Sequence, residues 1–395
     1  MTPDQLRVAL FSGNYNYIRD GANQALNRLV GDLIGQGAAV RVYSPVTDTP
    51  AFPPTGDLVG VPSFAVPGRP EYRVAYQLNA ATRADLAAFA PNLVHISSPD
   101  LVAHRAVSWA RRRGVPVVAS IHTRFETYLQ YYHLQLLEPA VRAMLRRLYR
   151  RCDAVVAPAE STAAILRAQR MSRDISIWSR GIDRIQFNPG RRSLEWRRAR
   201  GIADDQAVVI FLGRVVMEKG LDVFTDAVAA ARASGAAMRV MVIGEGPAMP
   251  WFREHLPDDA VFTGLITGEE LATALASGDM FLNPSITEAF GNVTLEAMAS
   301  ALPVIAAHAT GTTNLVRDGI TGTLVDPQEP EQFGEAIVRY VADPTLRRAH
   351  GAAGLAFALT QDWDEINAAV VTTYLRVIGR RERILARFGA RTLPK

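Results

Sequence analysis

The sequence predicts an α/β protein made of two doubly wound parallel-sheet domains. Three observations lead to this. Short apolar runs recur along the chain, helical stretches separate them, and the runs fall into two series divided by a turn-rich segment without strand pattern. Strands that read as unbroken apolar runs are buried on both faces, which is the pattern of parallel sheets covered by helices. A chain of 395 residues also exceeds one ordinary core and suits two domains.

The first series has strands expected at 7–11, 40–44, 93–96, 115–121 and 154–158, with helices at 22–35 and 101–113. The second has strands at 208–212, 239–243, 280–283, 303–306 and 323–325, with helices at 221–234 and 331–342. The divider, 180–201, contains Gly181, Pro189, Gly190 and a cluster of arginines. The domains are therefore placed at 1–185 and 190–370. The closing stretch 363–388 is helical in pattern and strongly basic, and 371–395 is set apart as a C-terminal helix. Open parallel sheets bind ligands beyond the carboxyl ends of their strands. With two such sheets, the expected site is a cleft between them, lined by loops that follow strands.

Composition narrows the function classes. Hydrophobic residues make up 48% and charged residues 21%, as in a soluble globular protein. No apolar stretch is long enough for a membrane-spanning helix. The apolar run after Asp4 is too short for a signal peptide and reads as the first strand. Cys152 is the only cysteine, so neither an internal disulfide nor a cysteine-based metal site is expected. These features point to the cytoplasm of a bacterium. Of the 43 basic residues, only Lys219 and Lys395 are lysines; the rest are arginine. A lysine kept inside such a chain marks either chance or a site that needs a compact ammonium.

Six stretches carry candidate chemistry. Gly213-Arg214-Val215-Val216-Met217-Glu218-Lys219-Gly220 directly follows a strand and sets two cations five residues apart at the mouth of a sheet. Two fixed cations there suit a diphosphate whose charge grows as it leaves. Glu288-Ala-Phe-Gly291-Asn292-Val293-Thr-Leu-Glu296 follows the strand at 280–283. Asn292 is expected to cap a helix beginning at Val293. The N–H groups of Gly291, Asn292 and Val293 would then be free for an anion, and the two carboxylates would accept hydrogen bonds from sugar or ribose hydroxyls. Gly244-Glu245-Gly246-Pro247 permits a tight turn and is by itself a plain one. Asp20-Gly21-Ala22 begins a helix, where Gly21 either offers N–H groups to phosphate or simply starts the helix. His122, at a strand end, either contacts a sugar or serves the structure. His95 and His308 receive no role. Finally, Phe125, Tyr128, Tyr131 and Tyr132 precede Arg142, Arg146, Arg147, Arg150 and Arg151. This basic amphipathic stretch is either a solvated face or a surface resting on anionic lipid.

Together these residues resemble the retaining glycosyltransferases of family 4, which have the GT-B architecture of two Rossmann-like domains facing a cleft. The resemblance covers nearly the whole chain. It rests on Gly-Arg-x3-Glu-Lys-Gly at 213–220 together with Glu-x7-Glu at 288–296. Gly244–Pro247, VFTG at 261–264 and LEAMASALP at 295–303 fit as well. It implies that the first domain binds acceptor and the second a nucleotide sugar. Arg214 and Lys219 would hold the donor diphosphate, helped by backbone at Asn292 and Val293. Glu296 would hold the ribose and Glu288 the sugar hydroxyls, with the nucleobase near Leu265 and Ile266. Gly21 and His122 match positions near the phosphate and the sugar. The helix from Trp363 would cross back to the first domain. HISSP at 95–99, 122–132 and WSRGIDRIQFNP at 178–189 look most like glycolipid-making members, among them sulfoquinovosyl-diacylglycerol synthases and lipid mannosyltransferases. The chain departs from many relatives at Asp20-Gly21, where they carry paired glycines, and at Asn292, where they carry an apolar residue.

The resulting expectation is transfer of a hexose or uronic acid with retention. The donor is a UDP- or GDP-sugar, with a slight lean to UDP, and the acceptor is a lipid at the inner face of the plasma membrane. Neither metal nor cofactor is expected, with His122, Arg214, Lys219 and Glu288 as the catalytic set. The alternatives are a polysaccharide or small soluble acceptor, an epimerase or phosphorylase of the same architecture, and a non-catalytic nucleotide-sugar binder. Nucleic-acid binding would rest only on the arginine clusters and is not expected.

Overall fold

The computed structural model describes residues 1–389 apart from 19, 67–68 and 124–134. The chain divides into two compact units. The first contains the segments up to Ser179 and from Asp364 onward; the second contains Arg180–Trp363. Both divisions fall a few residues before the positions expected from composition. For the first division, the strand-free divider is tied to the second unit: Arg191 pairs with Glu269 at 3.1 Å and Arg192 with Asp279 at 3.0 Å.

The strands of the first unit are β1 (Arg7–Phe11), β2 (Ala39–Ser44), β3 (Asp57–Gly60), β4 (Ser63–Val66), β5 (Arg69–Ala75), β6 (Leu93–Ile96), β7 (Val117–Ser120), β8 (Ala154–Ala157) and β9 (Ile175–Ile177). Among the described residues, seven of them form one sheet in the order β3-β2-β1-β6-β7-β8-β9, all parallel. β4 and β5 form a separate antiparallel pair. Strand side chains alternate between faces. Val94, Ile96, Val117, Ala119 and Ile121 lie in one core, packed with Ala103, Ala106 and Trp109 of the helix Leu101–Arg113. His95 and Ser120 therefore point to the opposite face.

The helix Trp363–Gly389 belongs to this unit from Asp364 onward. It buries Val370, Val371, Tyr374, Val377 and Ile378. Its arginines are tied down rather than left in solvent: Arg376 bonds Asp174 at 2.8 Å, Arg380 the carbonyl of Asp153 at 2.7 Å and Arg381 that of Gly114 at 3.1 Å.

The second unit contains β10 (Ala207–Leu212), β11 (Met238–Ile243), β12 (Val261–Gly264), β13 (Met280–Asn283), β14 (Val304–Ala307) and β15 (Gly322–Val325). They form a parallel sheet in the order β12-β11-β10-β13-β14-β15. The strands that the sequence did not reveal are β3, β4, β5, β9 and β12. Of these, β3, β9 and β12 are sheet edges, where half-exposed residues dilute the apolar run.

Arg197 anchors the divider. Its guanidinium is fully buried and donates to the carbonyls of Ser277 and Ala203, both at 2.8 Å, and to Asp279 at 3.0 Å. Asp279 also accepts from the N–H of Val208 at the start of β10. Arg197→Met leaves Asp279 its bonds to Arg192 and the Val208 N–H but strands the buried carbonyl of Ser277 and takes a donor from that of Ala203, so it should lower stability by about 2–4 kcal/mol in urea unfolding.

Candidate functional site

A doubly wound sheet opens a crevice where the strand order reverses. In the second unit this point lies between β10 and β13. The two loops that leave it are 213–220 and 284–291, the stretches that the sequence singled out.

The first loop is clamped by the turn after β11. Gly213 N–H donates to the carbonyl of Ile243 at 3.0 Å and Val215 N–H to that of Glu245 at 2.9 Å. A Cβ on Gly244 would lie 2.0 Å from the Gly213 carbonyl oxygen, and one on Gly246 2.2 Å from that of Val215. The Gly-Glu-Gly-Pro stretch is thus more than a plain turn; only glycine allows the backbones this close. The loop then makes the turn Met217–Lys219. Ser285 and Thr287, from the second loop, both donate to the Glu218 carbonyl, at 3.4 and 3.2 Å. That lacing brings Lys219 Nζ to 2.5 Å from Glu288 Oε1. Gly311 completes it: a Cβ there would stand 2.6 Å from the Glu288 carbonyl oxygen. Ser285, Thr287 and Gly311 escaped sequence reasoning because each acts on a partner distant in the chain. Arg214 is half-buried on the same loop.

The helix after Glu288 begins one residue earlier than expected. It runs Asn292–Ala299, and its cap is Gly291 in a left-handed conformation (φ 97°), with no side-chain cap. Asn292 is therefore not the N-cap. Glycine accepts the positive φ that turns the chain into the helix, so an Asn cap is unnecessary. Among the described residues, the N–H groups of Gly291, Asn292 and Val293 have no acceptor. Unpaired N–H groups at a helix start are of the kind that attract an anion. A cavity of about 450 Å³ lies nearby in the chain's geometry, lined by Glu245, Gly246, Met249, Arg253 and Gly264. Leu265, next to Gly264, is 71% exposed, and Ile266 is half-buried.

In the first unit the order reverses between β1 and β6. His122 follows β7. Its Nε2 lies 2.8 Å from Ser120 Oγ, and its ring meets the edge of Trp178 with centroids 5.4 Å apart. Gly21 begins the helix Gly21–Gly35, but Asp20 caps it by accepting from Ala22 N at 2.9 Å and Asn23 N at 2.8 Å. A carboxylate thus already holds two of the N–H groups that a phosphate would use.

The segment 206–343 matches the model described as glycosyl transferases group 1, and 19–185 that of glycosyltransferase family 4. A GDP-mannose-dependent alpha-mannosyltransferase of Mycolicibacterium smegmatis is 32% identical over 95% of this chain and 99% of its own length. The sulfoquinovosyl transferase of Arabidopsis thaliana is 31% identical over 78% of this chain and 61% of its own. The chain belongs to glycosyltransferase family 4. The sucrose-phosphate synthase of Thermosynechococcus elongatus shares the fold, with a TM-score of 0.75 at 22% identity, covering 94% of this chain and 99% of that one. The fold is thus GT-B, and the protein is a glycosyltransferase.

The surface residues of this glycosyltransferase divide differently from the sequence reading. Tyr128, Tyr131 and Tyr132 lie outside the described residues. On the helix Glu138–Tyr149, Arg146 donates to the Gln169 carbonyl at 2.9 Å and is a structural tie. Arg147 and Arg150 are exposed. On the same stretch Leu136 (96% exposed), Leu137 and Met144 are exposed apolar groups that residue types alone did not mark.

Glu296 lies one turn into its helix with only a partly open edge. Among the described residues no donor or cation meets its carboxyl, and desolvation pushes its pKa up to about 8. In the unfolded chain it titrates near 4.5. The folded state therefore binds the extra proton between these values, and stability falls as pH rises through that window. Glu296→Gln removes the titration. The variant should match the parent's melting temperature near pH 4.5 and exceed it increasingly up to pH 8, as read by thermal unfolding across that range.

Proposed function

We propose that this glycosyltransferase moves mannose from GDP-mannose to a lipid acceptor at a membrane surface, with retention at the anomeric carbon. The observation that carries the donor side is the meeting of Lys219 and Glu288 at the switch point, beside a helix start with free N–H groups. An ammonium and backbone donors suit a diphosphate, and a carboxylate suits sugar hydroxyls. The two side chains neutralise each other. An arriving diphosphate takes over Lys219, and Glu288 is released to the sugar. Glu296 holds the ribose, Arg214 joins Lys219 on the phosphates, and the base lies by Leu265 and Ile266. His122 meets the transferred sugar. Gly21 is left out, given its carboxylate cap.

The bond from the anomeric carbon to the diphosphate oxygen breaks while the acceptor hydroxyl oxygen bonds that carbon on the same face. The acceptor proton passes to the departing phosphate oxygen. The transition state is oxocarbenium-like, and catalysis comes from positioning and from cations facing the growing phosphate charge. Two cationic side chains at the phosphates make a metal unnecessary, so chelator should leave turnover unchanged. The guanosine donor rests on the mannosyltransferase relative, which matches this chain from end to end. The second reading is a uridine donor, since a solved structure of the same fold, Anabaena Alr3699/HepE, is in complex with UDP-glucose.

Thermal shift with UDP, GDP and their sugars, followed by transfer assays, decides the donor. GDP and GDP-mannose should raise the melting temperature; a response to uridine nucleotides alone would sink the guanosine reading. Lys219→Ala should cut turnover about 100-fold or more while keeping the fold, and near-normal turnover would remove Lys219 from the mechanism.

The lipid acceptor rests on the exposed apolar groups Leu136, Leu137 and Met144 and the exposed Arg147 and Arg150, all within the segment 136–150. Among the described residues no helix is long and apolar enough to cross a membrane. Contact with the membrane is therefore proposed through this face, with leucines entering the interface and arginines meeting anionic headgroups. Each such charge contributes about 1 kcal/mol at an anionic surface. Arg147→Glu with Arg150→Glu should weaken vesicle sedimentation on anionic lipid about tenfold or more. Equal binding by the variant, or none by the parent, would leave a soluble acceptor.

A further inference from the structure

Behind His122 lies a line of polar groups crossing the sheet face opposite the apolar core of the first unit. Tyr374 Oη, on the C-terminal helix, hydrogen-bonds His95 Nδ1 on β6. His95 Nε2 lies 2.8 Å from Ser120 Oγ at the end of β7, and Ser120 Oγ lies 2.8 Å from His122 Nε2. Parallel pairing explains the alignment. His95 faces Val118 across the ladder, and residues 118, 120 and 122 share a face. Tyr374, His95 and Ser120 are all buried, whereas His122 is partly open. Trp178 stands against both imidazole rings, and its indole N–H donates to Asn367 of the same C-terminal helix at 3.2 Å.

Hydrogen positions follow from satisfying every buried donor. Among the described residues, Tyr374 Oη and Ser120 Oγ have no partners outside this line. His95 is neutral, because burial pushes its pKa down to about 3. It therefore has one N–H and one acceptor nitrogen. Suppose that the line ran outward from His122, with its Nε2–H donating to Ser120. Ser120 would donate to His95 and His95 to Tyr374, and the Tyr374 O–H would be buried with no acceptor. If both imidazoles donated to Ser120, the Ser120 O–H would be stranded instead. One arrangement leaves no buried donor unpaired: Tyr374 donates to His95 Nδ1, His95 Nε2–H donates to Ser120, and Ser120 donates to His122 Nε2. An orphaned buried donor is a penalty of roughly 1–3 kcal/mol, enough to select one arrangement.

We infer that Tyr374, acting through His95 and Ser120, fixes His122 as the tautomer with its proton on Nδ1 and its lone pair on Nε2. The three are positioning residues. They hold Nε2 as an acceptor engaged with Ser120, so the ring's donor is Nδ1–H, suited to the oxygen of a sugar hydroxyl. The service to catalysis rests on the proposed meeting of His122 with the transferred sugar. The tautomer itself does not.

Nitrogen NMR of the full chain with labelled histidine reads the tautomer directly, with His122→Gln assigning the signal. The parent should show His122 protonated at Nδ1; protonation at Nε2 would overturn the inference without any variant being made. Tyr374→Phe removes the terminal donor, after which both directions leave one buried group unpaired. His122 should then become a mixture of tautomers. Turnover should fall about tenfold, in line with loss of an orienting partner behind a site histidine, while the donor KM stays within about twofold. An unchanged His122 tautomer in a folded Tyr374→Phe would likewise sink the idea. If the tautomers behave as inferred but His122→Gln transfers sugar normally, the pinning by Tyr374 stands and the placing of His122 at the sugar fails.

Discussion

The second unit of this glycosyltransferase is organised around one ion pair, Lys219 with Glu288, held across the point where its sheet reverses its strand order. Both side chains sit on irregular loops, which have no regular ladder to hold them. Two sets of bonds supply the order instead. Backbone bonds to the turn at Gly244–Pro247 hold the first loop, and the hydroxyls of Ser285 and Thr287 tie its last carbonyl to the second. The pair is thus the visible end of a backbone clamp. Each charge balances the other, which keeps an ammonium and a carboxylate near the surface of a crevice without exposing either to an unpaired environment.

The first unit solves a related problem in another way. Its His122 stands at a strand end, and the ring is joined to a buried polar line that ends on the last helix of the chain. Such a line is stable only if every donor is satisfied, and that requirement gives it a direction. The same helix uses its arginines to reach carbonyls and Asp174. The arginine-rich composition is thus partly structural. A planar guanidinium can satisfy several carbonyls at once, as Arg197 does in the second unit.

Much of this was legible in the sequence. The central strands announced themselves as apolar runs, and the two loops at the second switch point stood out by residue type and spacing. Lys219 was conspicuous as the one internal lysine. Other parts were not legible. The edge strands β3, β9 and β12 are half-exposed and lack the run. The helix start moved to Gly291 because a positive φ there made a side-chain cap unnecessary. Arg146, read as part of an open basic face, turned inward to a carbonyl, whereas the neighbouring leucines turned outward.

The sequence by itself determined the fold class and the family, and it singled out the two loops that leave the second switch point. These follow from periodicity and turn chemistry within stretches of about ten residues. Only the tertiary structure decided that Lys219 meets Glu288, 69 positions away, and that His95, left without a role, stands between Tyr374 and the residue behind His122. Those pairings depend on which strands become neighbours and in what register. Parallel strands find their neighbours through long crossovers, so no local signal in the chain records who stands beside whom.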